Sequence, residues 1–494
     1  ATVNREESSE FPGFFPLSVD YREQFAAAGK IPGGYMKREG KPSEREVLQG
    51  RIIDRSIRPI FPTNFFDKIQ LIVTVYSLDK DYMPTALALN AASLALSISD
   101  IPFLEPVSGC EVCNGKEKWI INPTHSELSQ SESKLFVSGN IDGINMVECI
   151  SSGINNNEAT SAIFSAHETI KSNIDWQKKI IDQVKKEKIM SEDKFSINIW
   201  QEKAESFICN DKISSIFVND KSERIESYSK ILKQFVEENA QTEIPDSEKI
   251  NESIVKYSFD VVLKKKLTNE MISRKSRVDG RNFGTVRDIE TETSLLPANH
   301  GSAVFNRGQT QVLVSLTLGS ANDKQRIDGI MEESDDPFML HYNFLPLSVG
   351  EARPLRPPSR RDIGHGNLAS NAIRGILPKE NKFPYTIRLV ADVLESDGST
   401  SMATVCASTM SLLDAGVPVS DMVAGIAMGM IQSKDGKFYV LTDIAAFEDE
   451  FGLMDLKIAG TNEKITAIQM DIKYKGGLPR YVFETAFEQS KKAR

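Results

Sequence analysis

Residues 387–413 read IRLVADVLESDGSTSMATVCASTMSLL. Ile387 to Leu394 is apolar and β-branched, as a buried strand requires, and Met402 to Leu413 reads as a helix. Between them stand Gly398 and three hydroxyl residues, Ser399, Thr400 and Ser401. A strand entering a helix through a glycine turn is a building unit of α/β folds. Free N–H groups and the positive end of the helix dipole converge at such a helix start, so the turn suits a phosphate oxygen. The simpler reading of the same residues is an ordinary Ser/Thr cap.

Working outward, three zones separate by composition. Residues 1–167 mix apolar runs such as IQLIVTVY (69–76) with Gly and Pro punctuation, an α/β pattern. Residues 168–275 are rich in Lys, Glu, Ile, Ser and Asn, with helical spacing in YSKILKQFVE (228–237), and read as an all-helical linker. Residues 276–494 return to α/β and end in a helix from about Tyr481. The outer zones echo each other. Phe15 to Val19 (FPLSV) recurs as Leu345 to Val349 (LPLSV), and Lys37-Arg38-Glu39 recurs as Arg360-Arg361-Asp362. An Ala/Ser-rich helix ending near Pro102 recurs ending near Pro418. A duplicated domain split by a helical insert is expected.

Composition excludes several classes. With 494 residues, 40% hydrophobic and 26% charged, the chain is neither disordered nor collagen-like, and its apolar stretches are interrupted too often to span a bilayer. Five cysteines are too few for a disulfide framework, and Cys110 and Cys113 read as buried strand residues. The start lacks a methionine and reads as processed or trimmed. A net charge of −10 excludes non-specific coating of nucleic acid, so any RNA or nucleotide site must be a local basic patch. Arg353, Arg356, Arg360 and Arg361 supply one, with His365 a helical turn beyond and Arg38 placed similarly in the first half. Intrachain salt bridges are the alternative use of these arginines.

EDEFGLMDLKIAG (448–460) places Asp455 and Lys457 on one face of a strand, with Asp449 able to fold back across Gly452. Paired carboxylates beside an ammonium suit a magnesium ion bridged to a phosphate. An acidic turn before an edge strand is the alternative. No Ser-His-Asp triad, P-loop or dinucleotide fingerprint is present, which weighs against acyl transfer, ATP-driven work and nicotinamide redox chemistry.

Several further motifs lie in order: FFPLSVDYRE (14–23), AGKIPGG (28–34), KREGKPSE (37–44), IDRSIRPIFP (53–62), HYNF (341–344), IGHG (363–366) and DAGVP (414–418). Together with the segments above they resemble the polynucleotide phosphorylase family. The resemblance implies two ribonuclease PH-like domains joined by an all-α domain, in the α/β (α+β) class. It implies a 3′-to-5′ exoribonuclease in which inorganic phosphate is co-substrate and nucleoside 5′-diphosphates are released, reversibly as template-independent polymerisation. By matching position, Asp449 and Asp455 would hold Mg2+, or Mn2+ in its place, with Lys457 catalytic. Ser399, Thr400 and Ser401 would bind phosphate. Arg360, Arg361 and His365 would hold the 3′ end of single-stranded RNA, and Lys37 and Arg38 would guide it. Further implications are a homotrimeric ring, degradosome-type partners (an endoribonuclease, a helicase), no membrane, and the bacterial cytoplasm, with an organelle as the alternative.

Alternatives to phosphorolysis are hydrolytic trimming on the same fold and an inactive RNA-binding or scaffold subunit. The chain departs from the family pattern at Lys37, Gln309, Thr400 and Leu453. It is expected to start after the first domain's opening strands and to stop before the KH and oligonucleotide-binding modules. Aligning Ser138-Gly139 with Ala459-Gly460 puts Lys134 opposite Asp455 and Phe136 opposite Lys457, so one active site per chain is expected, in the second half.

Overall fold

Strand Ile465–Ile472 lies antiparallel to strand Ile144–Ile154, with Met470 opposite Val147 and Ile468 opposite Cys149. This pairing fuses the two halves into one eight-stranded sheet in the computed structural model, which describes residues 1–116, 118–189, 195–239, 251–331 and 333–494. On the second-half side the sheet continues through Met454–Gly460, Ala424–Gln432 and Phe438–Thr442. On the first-half side it continues through Ser133–Gly139, Ser108–Asn114 and Trp119–Ile121. The order repeats outward from the seam, as duplication requires. Both strands next to the seam pair shift register at their last residue, Gly139 and Gly460. A Cβ there would sit 2.3 Å from the Gly143 oxygen or 2.1 Å from the Lys464 oxygen, so both halves need glycine.

Each half has a second sheet. In the second half the order is Phe338–Phe344, Thr386–Glu395, Thr310–Gly319, Gly301–Arg307, Ile289–Thr293. The first three match Leu17–Glu23, Lys68–Val75 and Thr2–Glu6 in topology and strand direction. This correspondence corrects the expected echo. Leu17 to Val19 lies on a strand, whereas Pro346–Val349 is a 3-10 turn after its strand, so Tyr21 is the true counterpart of Tyr342. The basic pairs are likewise out of register. Ser43 and Ser359 cap matching helices, Glu44–Ile57 and Arg360–Arg374, each with a capping box, so Arg45 is the counterpart of Arg361. Lys37 and Arg38 lie in the loop before the first of these helices.

Helix Asn156–Val184 runs unbroken through the expected boundary at residue 168. Its Ala159, Ala162, Ile163, Ala166, Ile170 and Ile174 are buried against the large sheet, so the turns past 168 belong with the first half. Helix Arg480–Ala493 packs beside it in the same core, against the second-half strands, and Phe483 meets Phe164 edge-on at 5.5 Å. The helices Ile197–Phe207, Asn210–Ser214, Lys221–Glu238 and Glu252–Arg274 form a separate core around Trp200, Phe235 and Phe259, which merges with Ala427, Ile431 and Ile444 of the second half. Cys110 and Cys113 are buried on their strand. No helix among the described residues is long and apolar enough to cross a membrane.

The seam strand is buried along nearly its whole length, with Ile465, Ile468, Met470 and Ile472 in the core, so its packing governs stability. Ile468→Ala should cost roughly 2–5 kcal/mol, read as a lower midpoint in urea unfolding.

Candidate active site

Asp443 is fully buried among three arginines, accepting hydrogen bonds from two and pairing by charge with the third. Arg287 donates through Nε at 2.8 Å and Nη2 at 2.7 Å, Arg307 Nε lies 2.9 Å away, and Arg281 Nη1 donates at 3.2 Å. Burial alone pushes the Asp443 carboxyl up, but Arg307, Arg287 and Arg281 outweigh it and hold the group well below the ordinary carboxylate range. Arg277 and Glu448 form a second buried pair, with Nε donating to Oε1 at 2.7 Å. Glu448 Oε2 in turn accepts from the Ala445 N–H at 3.0 Å and so caps the short helix Ala446–Phe451 that carries Asp449.

The same arginines fix the hydroxyl-rich turn. Arg287 Nη1 donates to the Asp397 oxygen at 2.6 Å, and Arg307 Nη2 to the Ser399 oxygen at 3.0 Å. Thr310 Oγ1 donates to the Gly398 oxygen at 3.1 Å. Gly398 and Ser399 are both left-handed, at φ +88° and +54°. A Cβ on Gly398 would stand 2.6 Å from the Ala446 nitrogen, and that N–H donates to the Asp397 oxygen at 3.1 Å. The turn before helix Thr400–Asp414 is therefore pressed directly against the start of the Asp449 helix. The hydroxyls of Ser399 and Ser401 are buried without a hydrogen-bond partner among the described residues, which marks the turn as open to a ligand.

A cavity of about 1050 Å³ joins these parts, lined by Ser399, Thr400, Asp449, Asp455, Lys457, Arg361 and His365 among others. Met454–Gly460 is an interior strand paired on both sides, not an edge strand, and is buried on both faces. Asp455 and Lys457 form an ion pair on it. Burial raises the Asp455 carboxyl, but Lys457, Lys473 and Arg55 together lower it, so it stays ionised. Lys473 Nζ reaches the Asp449 carbonyl oxygen at 2.5 Å and its carboxylate at 3.4 Å. Arg361 lies over the Phe344 ring, 5.2 Å from its centroid. Burial and then Lys457, Arg361, Arg51 and Arg55 push the His365 imidazole well below its usual value, so it is neutral.

Other expected site residues fall elsewhere. Arg360 turns to the first half, donating to the Val19 oxygen at 2.7 Å and pairing with Asp20 at 2.6 Å, and does not line the cavity. Ser401 is fully buried below the turn rather than on the cavity wall. Lys37 and Arg38 are exposed and outside this cavity; Arg38 lines a separate one between the halves. Gln309 accepts from the Lys221 N–H at 3.3 Å, tying the helical unit to the hairpin between Gly301–Arg307 and Thr310–Gly319. Reading the sequence missed the buried network of Arg277, Arg281, Arg287, Asp443 and Glu448. The available signal was the cluster of arginines at 277, 281 and 287 directly after the helical zone.

Asp449 and Asp455 present hard oxygen donors to one cavity, the set magnesium accepts when substrate phosphate completes its shell. Among the described residues no group of three or more His, Cys, Asp or Glu gathers to hold a metal without such help.

Comparison with known proteins fits this geometry. A model described as "3′ exoribonuclease family, domain 1" matches residues 1–102 and 285–418, and one described as "Polyribonucleotide nucleotidyltransferase, RNA binding domain" matches 202–282. Fold and matches together define a member of the ribonuclease PH class, duplicated around a helical insert. The polyribonucleotide nucleotidyltransferase of Persephonella marina is 46% identical over 100% of this chain and 69% of its own length. That of Fervidobacterium nodosum is 44% identical over 100% of this chain and 72% of its own. The chain belongs to the polyribonucleotide nucleotidyltransferase family. A solved structure described as the Archaeoglobus fulgidus exosome with RNA bound to the active site matches at a TM-score of 0.38 and 19% identity, covering 47% of this chain and 95% of that one.

Removing one member of a buried charge network leaves the others unpaired. Asp443→Asn should cost about 3–5 kcal/mol. Because the folded-state carboxyl is depressed, its contribution is complete above the ordinary carboxylate range and is lost as pH falls below it. Denaturant unfolding across acid pH should show that slope in the wild type and a shallower one in the variant.

Proposed function

We propose that this chain shortens single-stranded RNA from its 3′ end by phosphorolysis, in the cavity between the Gly398 turn and strand Met454–Gly460. The observation that carries the reading is the contact of that turn with Ala445 and Ala446, which gathers the hydroxyl turn, both aspartates and Lys457 around one space. Inorganic phosphate is held by Ser399, Thr400 and the N–H groups at the helix start, with Ser401 supporting from beneath. In-line placement against the terminal phosphodiester then converts a bimolecular attack into a positioned one. Lys457 stabilises the departing 3′ oxygen, and nucleoside 5′-diphosphate is released.

Asp449 and Asp455 would hold magnesium, with manganese in its place. Bound there, the ion supplies charge neutralisation at the scissile phosphate. Arg361 and His365 hold the RNA end, while Arg360, anchored on Asp20, secures the first half beside them. Lys37 and Arg38 guide the strand from their exposed loop. The first half lacks a second site, since Lys134 and Phe136 stand on the matching strand where Asp455 and Lys457 stand. We place the chain in a homotrimeric ring in the bacterial cytoplasm, working in mRNA turnover with endoribonuclease and helicase partners.

RNA incubated with inorganic phosphate should release nucleoside diphosphates by mass, and nothing without phosphate. Monophosphates formed without phosphate would exclude the mechanism. Asp455→Asn should lower kcat by at least a hundredfold, and chelation of divalent ions should abolish turnover until magnesium is restored; a variant equal to wild type would favour a scaffold role.

A further inference from the structure

Tyr342 is buried on strand Phe338–Phe344 and does not line the catalytic cavity, yet its hydroxyl joins two residues that do. It lies 2.6 Å from Thr400 Oγ1 and 3.2 Å from His365 Nδ1. The imidazole meets the phenol ring edge-on, with centroids 5.3 Å apart. The three residues come from a strand and two different helices, so the chain of hydrogen bonds spans the cavity floor from phosphate turn to RNA side.

A phenol has one proton, so Tyr342 donates to one neighbour and accepts from the other. In the first arrangement Thr400 donates to the phenol and the phenol donates to Nδ1. The His365 proton is then on Nε2, and Thr400 has no proton left for a ligand. In the second, Nδ1–H donates to the phenol and the phenol donates to Thr400 Oγ1. Thr400 is then free to donate into the turn, and Nε2 is a bare acceptor. Both arrangements carry the same charge, because the buried imidazole is neutral in each. Phosphate oxygens accept hydrogen bonds, so a phosphate at the turn selects the second arrangement.

We propose that Tyr342 is a positioning residue that couples phosphate at the Gly398 turn to the hydrogen-bonding sense of His365, so that bound phosphate presents Nε2 as an acceptor to a hydroxyl of the RNA 3′-terminal ribose. The proposal rests on the phosphorolytic reading above. It gives the two substrates a shared relay: each favours the proton arrangement that the other needs.

The test measures the phosphate KM of the full chain at low and at saturating RNA. Saturating RNA should lower it roughly threefold to tenfold in the wild type, the value of one hydrogen bond. Tyr342→Phe should flatten that dependence with a smaller change in kcat, Thr400→Val should flatten it while also raising the phosphate KM outright, and Thr400→Ser should restore it. Nitrogen-15 spectra of labelled histidine, with His365 assigned through His365→Gln, should show its tautomer change when inorganic phosphate is added alone. A tautomer unmoved by phosphate, or coupling retained in a folded Tyr342→Phe or Thr400→Val chain, would overturn the relay. Should Tyr342→Phe fail to fold, the wild-type spectra and Thr400→Val decide. Nucleotide release by the wild type without phosphate would instead refute phosphorolysis.

Discussion

One buried carboxylate organises the second half. Asp443 lies at a left-handed residue, φ +53°, directly after the strand Phe438–Thr442, and gathers arginines from three separate places in the chain. Two of those guanidiniums, Arg287 and Arg307, also donate to the carbonyls of Asp397 and Ser399. A hydrophobic contact would tolerate sliding of the turn against the Asp449 helix. Charge-assisted hydrogen bonds between buried groups fix distance and angle together, at the cost of desolvating every member. Precise spacing between a phosphate cradle and a pair of acids is what in-line displacement requires.

Against this, the first half shows what the same framework becomes without that chemistry. Pro84 stands at the first-half counterpart of the N-cap position held by Ser399, and Gln49 stands at the place of His365. Tyr21 matches Tyr342 but donates to Glu23 at 2.9 Å instead of bridging to a helix start. By strand register Glu111 takes the place of Ala427, and burial pushes its carboxyl up to about 6. The backbone pattern survives down to the paired glycines, while the side chains facing the cavity have been exchanged.

Much of this was legible in the sequence because it is local. The Thr386–Glu395 strand, the helix after it, the alternation around Asp455 and the helical spacing after Lys221 all follow from short-range periodicity. The failures are long-range. The match of FPLSV to LPLSV was a stronger string than the true correspondence, which rests on strand order and capping residues. Arg360 and Arg361 are adjacent in sequence, but successive helical residues point about 100° apart, so one meets Asp20 and the other the cavity. The Asp443 network joins residues more than a hundred positions apart, and no spacing rule reports such a cluster.

The shared eight-stranded sheet has a consequence during synthesis. Strand Ile144–Ile154 leaves the ribosome with one edge satisfied by Ser133–Gly139, but its other partner, Ile465–Ile472, follows some 300 residues later. At about 5–20 residues per second that is a wait of roughly 15–60 s. Throughout it, a long β-rich edge stands open to wrong partners, including the same strand of a neighbouring nascent chain. The helical insert, made in the interval, lengthens that exposure, so birth of the polypeptide rather than its finished stability is the stage at which a chaperone has most to protect.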